Sequence, residues 1–170
     1  YNEYLLRSGA VTPQPGFLVD CQGHVVGTHN GIHNFTIGQR RGLCGGLKHP
    51  VYVKQILPEQ NTVIIAPRDQ LYAKGVLIRD INWVSISGPS RPIKAHVKLR
   101  YRQKEVAALI IPTGERECFV RFFSPQWAVT PGQAAVFYDA DTVLGGGWIH
   151  KALDKPGTGV DESDSNSTTN

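Results

Sequence analysis

Short apolar runs, each ended by turn-forming residues, constrain this sequence more than any other feature. Residues 16–153 contain no segment in which apolar residues recur with the period of an α-helix. Gly, Pro, Asn and Asp instead separate runs that are rich in Val, Ile, Phe and Tyr, which is the composition of strands and turns. The sequence therefore predicts an all-β fold.

The predicted strands fall into two groups. The first group favours two hairpins in a small central β domain at residues 16–73, and the second has six strands, enough to close a β-barrel at residues 74–153. Residues 1–15 are expected to be a linker, and residues 154–170, with little apolar mass, a flexible tail. The predicted strands are residues 16–20, 24–29, 51–57, 62–66, 76–87, 93–102, 106–111, 117–123, 134–138 and 142–144.

One predicted strand, residues 93–102, alternates apolar and basic side chains, which places them on opposite faces. No acidic residue occurs from Arg91 to Lys104. Two interpretations stay open: a surface that binds a polyanionic backbone, or an edge strand whose charges prevent aggregation. By the same alternation, Tyr101 is expected in the core. The basic face consists of Lys94, His96, Lys98, Arg100 and Arg102.

A glycine-rich segment at residues 27–46 carries two adjacent arginines, Arg40 and Arg41. Backbone N–H groups of such a segment could bind phosphate, but tight turns explain the glycines equally well, and the order of a Walker phosphate loop is absent. Adjacent side chains of an extended chain point apart, so only one of the two arginines could pair with an internal carboxylate. The other is expected to contact a partner.

Cysteine and histidine residues suggest two alternatives. Cys44 lies in the glycine-rich segment, and a stand-alone thiol enzyme could use it if a base activated it. A zinc-stabilised RNA-binding adaptor is the other alternative, although structural zinc sites usually have more thiolates at closer spacing. We expect no catalytic residue, metal or cofactor in this chain. The four possible zinc ligands would be Cys21, His24, His29 and His33.

The net charge favours an anionic partner. The chain carries +4, and because residues 155–170 contribute −2, residues 1–154 carry +6, a basic balance compatible with nucleic acid. No apolar run reaches the length of a membrane-spanning helix, and the widely spaced cysteines do not resemble a disulfide framework. We expect a cytoplasmic protein with no membrane partner. Because the chain lacks Met, we also expect it to be part of a longer protein.

The large aromatic residues are expected to lie in the core rather than to stack on nucleic-acid bases. This expectation covers Trp83, Trp127, Trp148 and the pair Phe122 and Phe123.

Five ordered segments resemble the C-terminal part of the tRNA-specific 2-thiouridylases, a family formerly named as tRNA methyltransferases. The resemblance covers residues 12–153. It implies an enzyme that places sulfur on C2 of the wobble uridine of certain tRNAs, and a barrel like those of translation factors. The segments are HNFTIGQRRGL at 33–43, PVYV at 50–53, KLRYRQ at 98–103, AVTPGQAAVFYDAD at 128–141 and VLGGGWI at 143–149.

The resemblance also implies a division of labour. ATP with Mg²⁺, both catalytic cysteines and the contact with a sulfur-relay donor protein would belong to an upstream domain that this chain lacks, so the chain alone should be inactive. This chain would hold the tRNA anticodon arm through Arg100 and Tyr101 of LRYRQ and Gln133 of TPGQ, which moves Tyr101 from the core to the interface. Further candidate tRNA contacts, by their charge, are Lys94, Lys98, Arg102, Arg40 and Arg41.

Overall fold

A computed structural model of the chain describes residues 14–43, 49–101 and 103–154. These residues form ten β-strands and three short 3₁₀-helices, so the predicted all-β fold class is confirmed. Within them, no helix has the length and the hydropathy that a membrane span requires. Most of the predicted linker, Cys44, Arg102 and the tail after Asp154 lie outside the described residues.

The chain divides into two compact units. The first holds the residues up to Tyr72 together with Trp127–Val129, and the second holds Ala73–Gln126 and the residues from Thr130 onward.

The first unit is built on a four-stranded sheet of order β2-β1-β4-β3. Both predicted hairpins are confirmed, because β1 pairs antiparallel with β2, and β3 pairs antiparallel with β4. A parallel pairing of β1 with β4 joins the two hairpins into one sheet. The strands are β1 (Gly16–Val19), β2 (Val25–His29), β3 (Tyr52–Leu57) and β4 (Thr62–Ala66).

Local hydrogen bonds explain the two hairpin turns. The Asp20 carboxylate accepts the backbone N–H groups of Gln22 and His24, each at 2.9 Å, and so closes the turn between β1 and β2. The β3–β4 connection is a 3₁₀ turn at Pro58–Gln60, followed by Asn61 at φ 47°. Asn adopts this left-handed conformation more readily than most residues, which suits it to the turn.

One cluster of buried residues forms the main core of the first unit. The chain between β2 and β3 contributes partly buried side chains from the 3₁₀-helix Ile32–Asn34 through Leu43 to this cluster. Burial of these side chains removes apolar area from water and so stabilises the sheet. The buried members are Leu18, Val53, Val63 and Ile65.

The second unit is a closed six-stranded barrel, as predicted. The order of its strands is β10-β5-β8-β7-β6-β9. Closure gives each strand two neighbours, so the barrel has no unpaired strand edge. The strands are β5 (Tyr72–Trp83), β6 (Ile93–Lys98), β7 (Val106–Gly114), β8 (Glu117–Trp127), β9 (Ala134–Asp139) and β10 (Thr142–Leu153).

The barrel interior is filled by side chains that alternate with exposed ones along the strands. Phe137 is fully buried, and the ring centroid of Trp83 lies 5.5 Å from that of Phe137. Burial also raises the pKa of the Cys118 thiol to about 12, because the interior disfavours the thiolate. Other fully buried barrel residues are Val76, Ile78, Val97, Ile110, Val120 and Ile149.

Several predicted strand bounds are wrong. β5 lies at Tyr72–Trp83 rather than at residues 76–87, and β7 and β8 continue to Gly114 and Trp127 rather than ending at residues 111 and 123. β6 ends at Lys98 rather than at residue 102, and β10 continues to Leu153 rather than ending at residue 144. The glycines of β10 concealed its length, because glycine weakens most strands. Here a Cβ on Gly145, Gly146 or Gly147 would lie 2.5–2.6 Å from a backbone oxygen of a neighbouring strand, so close packing requires glycine.

Candidate nucleic-acid interface

The alternation predicted for β6 is confirmed over its ordered length. Ala95 and Val97 are buried, whereas Lys94 and His96 are exposed and Lys98 is half-buried. β6 pairs with β7 on one side and with β9 on the other, so it is not an edge strand. The interpretation of its charges as edge protection is therefore wrong. Binding of a polyanion by these charges stays a prediction.

Arg100 lies in the turn that follows β6, and its side chain joins two distant segments. Its Nη2 donates a hydrogen bond of 3.1 Å to Oγ1 of Thr130. The backbone N–H of Gln103 closes the turn by donating to the carbonyl of Arg100 at 3.1 Å. The segments KLRYRQ and AVTPGQAAVFYDAD, 30 residues apart at these two side chains, therefore meet at one end of the barrel.

Thr130, Pro131, Gly132 and Gln133 form a tight turn before β9. The N–H of Gln133 donates to the carbonyl of Thr130 at 3.4 Å, and Gly132 has φ 81°. Proline in the second position and a positive-φ glycine in the third are the residues that a type II turn prefers. Gly132 donates to the carbonyl of Ile149, and Ile149 donates to the carbonyl of Gln133, both at 2.8 Å, so β10 holds the turn. The side chain of Gln133 is exposed.

Tyr101 is 92% exposed, so the prediction from alternation that it lies in the core is wrong. The physical reason is that β6 ends at Lys98 and the chain turns at Arg100–Gln103, so that Leu99 is still buried but Tyr101 no longer follows the alternation of the strand. Arg102 lies outside the described residues. Arg100, Tyr101 and Gln133 therefore lie at one end of the barrel, which we call the Gln133 end.

Four acidic residues lie in or beside the β7–β8 and β9–β10 turns, at the opposite end of the barrel, whereas the exposed Glu105 lies just before β7, at the Gln133 end. Because β6, β7 and β8 pair antiparallel in turn, and β9 pairs antiparallel with β6, the β7–β8 and β9–β10 turns lie away from the Gln133 end. A hydrogen bond from Arg79 to Glu117, 2.6 Å long, holds the pKa of this carboxyl below its usual value. Lys98 and Arg100 favour approach of a polyanion to the Gln133 end, and Glu105 offsets part of their charge. The four acidic residues at the opposite end are Glu115, Glu117, Asp139 and Asp141.

Arg40 and Arg41 belong to the first unit, where both are exposed. Gln39 orders their turn: its Oε1 accepts the N–H of Thr36 at 3.0 Å, and its Nε2 donates to the carbonyl of Arg41 at 2.9 Å. Neither arginine forms an ion pair among the described residues, so the expected internal carboxylate is not found there.

Two exposed aromatic residues were missed because their type suggested the core. Phe123 is 54% exposed and Trp148 is 55% exposed, whereas Phe122 is buried as expected. Period-two alternation in β8 could have identified Phe123 and the exposed Arg121, since Phe122 and Val120 point inward. The bulges that interrupt the register of β10 left no such signal for Trp148.

The possible zinc ligands are not brought together. The described residues contain no group of three or more His, Cys, Asp or Glu side chains that could hold a metal ion. Nδ1 of His24 lies 3.1 Å from the Asp20 carboxylate, and Nδ1 of His29 accepts the N–H of Gly31 at 3.0 Å. Burial lowers the pKa of His29, which favours its neutral form. These contacts give the two histidines structural roles.

Two family models match the chain. Residues 4–67 match the tRNA methyl transferase PRC-barrel domain, and residues 73–149 match the aminomethyltransferase beta-barrel domain. Together with the small sheet and the closed barrel, these matches define the chain as two β domains of the kinds that these family models describe.

The relatives identify the family. The chain is 42% identical over 149 residues to the tRNA-specific 2-thiouridylase MnmA of Halothermothrix orenii, which is 88% of this chain and 42% of that relative. It is 42% identical over 147 residues to MnmA of Koribacter versatilis, covering 86% of this chain and 40% of that protein. The chain belongs to the tRNA-specific 2-thiouridylase family, so the resemblance inferred from its motifs is confirmed. It spans about two fifths of the length of these curated relatives.

Proposed function

We propose that this chain is the tRNA-binding part of an ATP-dependent tRNA 2-thiouridylase that thiolates C2 of the wobble uridine. The observation that carries this proposal is the hydrogen bond from Arg100 to Thr130, because it brings the two segments with the expected tRNA contacts to one end of the barrel.

Each residue at the Gln133 end has a distinct part in this proposal. Lys98 and Arg100 neutralise phosphates, which gives affinity and register but little sequence information. The amide of Gln133 is both a donor and an acceptor and can contact a base edge. The exposed ring of Tyr101 can stack on an unpaired base of the anticodon arm. In the first unit, Arg40 and Arg41 would contact a further phosphate.

The chemistry of thiolation belongs, in this proposal, to another part of the parent enzyme. The matched segment makes up 42% of the first relative, which leaves room in such a protein for a catalytic domain. That domain would bind ATP with Mg²⁺ and receive sulfur from a relay protein. This chain would position the anticodon arm in the cytoplasm and would have no sulfurtransferase activity alone.

Arg100→Ala tests the proposal. Binding of an unmodified tRNA transcript, measured by fluorescence anisotropy at several salt concentrations, should weaken, and the slope of log K against log salt should fall by about one phosphate contact. Arg100→Lys should restore the slope because it keeps the charge. Arg116→Ala is the matched control, since Arg116 lies in the β7–β8 turn at the opposite end.

An unchanged salt slope in Arg100→Ala, or an equal loss in Arg116→Ala, would contradict the proposed interface. Circular dichroism of each variant checks that loss of the hydrogen bond to Thr130 has not unfolded the barrel. An anticodon stem–loop should compete for the chain, whereas an acceptor-stem duplex of equal length should compete poorly.

A further inference from the structure

Trp148 exposes more than half of its surface on β10, although tryptophan is usually highly buried. Within the described residues, its indole forms no hydrogen bond, ring contact or cation–π contact. The three preceding residues, 145–147, are glycines, so no side chain of that run can cover the ring. An aromatic ring that is half exposed on a barrel strand can stack on a flat partner.

The position of Trp148 connects it to the Gln133 end. Trp148 pairs across the ladder with Ala134, the residue directly after Gln133, and alanine is too small to cover the indole. On its other side Trp148 pairs with Arg79 of β5, whose guanidinium donates a hydrogen bond to Glu117. Ile149, the next residue of β10, donates its N–H to the carbonyl of Gln133 at 2.8 Å. The turn that carries Gln133 is thus fixed to the strand that carries Trp148.

The other side of this turn carries positive charge. Arg100 follows β6, which pairs with β9 opposite β10, and its guanidinium donates to Thr130 at the start of the turn. The Thr130–Gln133 turn therefore has an indole on its β10 side, a guanidinium on its β6 side and the exposed Gln133 amide at its end. An apolar stacking surface, an amide and a cation are the groups that recognise a nucleotide with an unpaired base.

Exposure by itself does not define this site. Phe123 is exposed to the same extent, 54% against 55%, but it lies on β8. In the barrel order, β8 is three strands from β9 in either direction, so Phe123 lies on the opposite wall. The Gln133 turn therefore lies on a different wall from Phe123, although Gln103 of the Arg100 turn donates a hydrogen bond to Gln126 of β8. The two aromatic residues form a matched pair for experiment.

We propose that Trp148 and the Thr130–Gln133 turn form a binding site for one unpaired base, with the indole stacked on the base and the Gln133 amide at its edge. This inference rests on the proposed function, to which it adds a residue that recognises a base rather than a phosphate. An unpaired base is required because, in a duplex, both faces of a base are covered by its neighbours.

Tryptophan fluorescence and binding of an RNA stem–loop with an unpaired uridine-rich loop test the site in the full chain. Trp148→Ala should bind this probe about tenfold more weakly, the size of one lost base–aromatic stack. Its salt slope should remain that of the wild type, because no phosphate contact is lost. Trp148→Phe should keep most of the affinity but lose most of the fluorescence quenching. Phe123→Ala should bind as the wild type does.

The outcomes separate this inference from the proposed function. If Trp148→Ala binds the stem–loop as tightly as the wild type while Arg100→Ala binds it more weakly, the base site is wrong and the phosphate interface stands. If Phe123→Ala loses as much affinity as Trp148→Ala, or if the salt slope falls in Trp148→Ala, the base site is also wrong. If the wild type binds neither the stem–loop nor tRNA, both proposals are overturned.

Discussion

The two units of this chain satisfy their backbone hydrogen bonds in different ways. The first unit has an open sheet in which β2 and β3 are the outer strands, whereas the second closes six strands into a barrel. Charged side chains on the outer strand of an open sheet protect it from pairing with another chain. In a closed barrel they cannot have that role, because every strand already has two partners.

This difference changes the meaning of a basic strand. Lys94, His96 and Lys98 lie on a barrel strand, so their charge is available for a partner without any part in edge protection. In the open sheet, the candidate contacts Arg40 and Arg41 lie instead in a turn between β2 and β3. Basic residues are therefore candidate contacts for an anionic partner on a strand of the second unit and in a loop of the first.

The largest effect is expected from removing a core ring. Phe137→Ala should lower the free energy of unfolding of the barrel by about 3–5 kcal/mol, because it leaves a cavity at a fully buried site against Trp83. Leu18→Ala should cost the open sheet about 2–5 kcal/mol. Hydrogen exchange under denaturant would assign each loss to its unit. If either variant reduced the protection of both units equally, the assignment of each residue to the core of its own unit would be contradicted.

The thiols of the two units should differ in reactivity. Cys118 in the barrel has a pKa of about 12, so at pH 8 about one thiol in ten thousand is ionised, about a thousandfold less than for a model thiol. Cys21, exposed at the β1–β2 turn, should be alkylated readily by iodoacetamide. Peptide mapping by mass spectrometry would measure both rates. Comparable labelling of Cys118 in the folded chain would show that the barrel opens readily.

The smallest effect concerns the charges of β6. Lys94→Thr and Lys98→Thr should each change the free energy of unfolding by less than about 0.5 kcal/mol, because surface substitutions away from special contacts rarely do more. Both variants should remain monodisperse in light scattering, since a closed barrel needs no edge protection. Aggregation of either variant would restore the interpretation that these charges guard an edge.

Much of the fold was predictable because it depends on local information. Turn residues such as Asp20 and Asn61 mark the hairpins, and the alternation around Ala95 and Val97 marks β6. The length of β10 was not predictable, because the need for its glycines arises from backbone atoms of β5 and β9 that are distant in sequence. The exposure of Trp148 was also missed, because it depends on which residues of β5 and β9 lie beside Trp148.

The candidate site was only partly predictable. Its residue types, Arg100, Tyr101 and Gln133, could be named from the segments that resemble the family. Their placement at one end of a barrel depends on the hydrogen bond between Arg100 and Thr130 and on the register of β9 against β6 and β10. These are contacts between residues far apart along the chain, and no local pattern encodes them.

By itself, the sequence determined the all-β class, the two groups of strands, the positive face of β6 and the family. Periodicity, turn chemistry and charge are properties of neighbouring residues, so they can be read from the chain in order. Only the tertiary structure decided that β6 is an inner strand of a closed barrel, that Trp148 is exposed, and that the Thr130–Gln133 turn lies between Arg100 and β10. Those facts depend on which distant strands pair, and pairing is settled by the packing of the whole barrel.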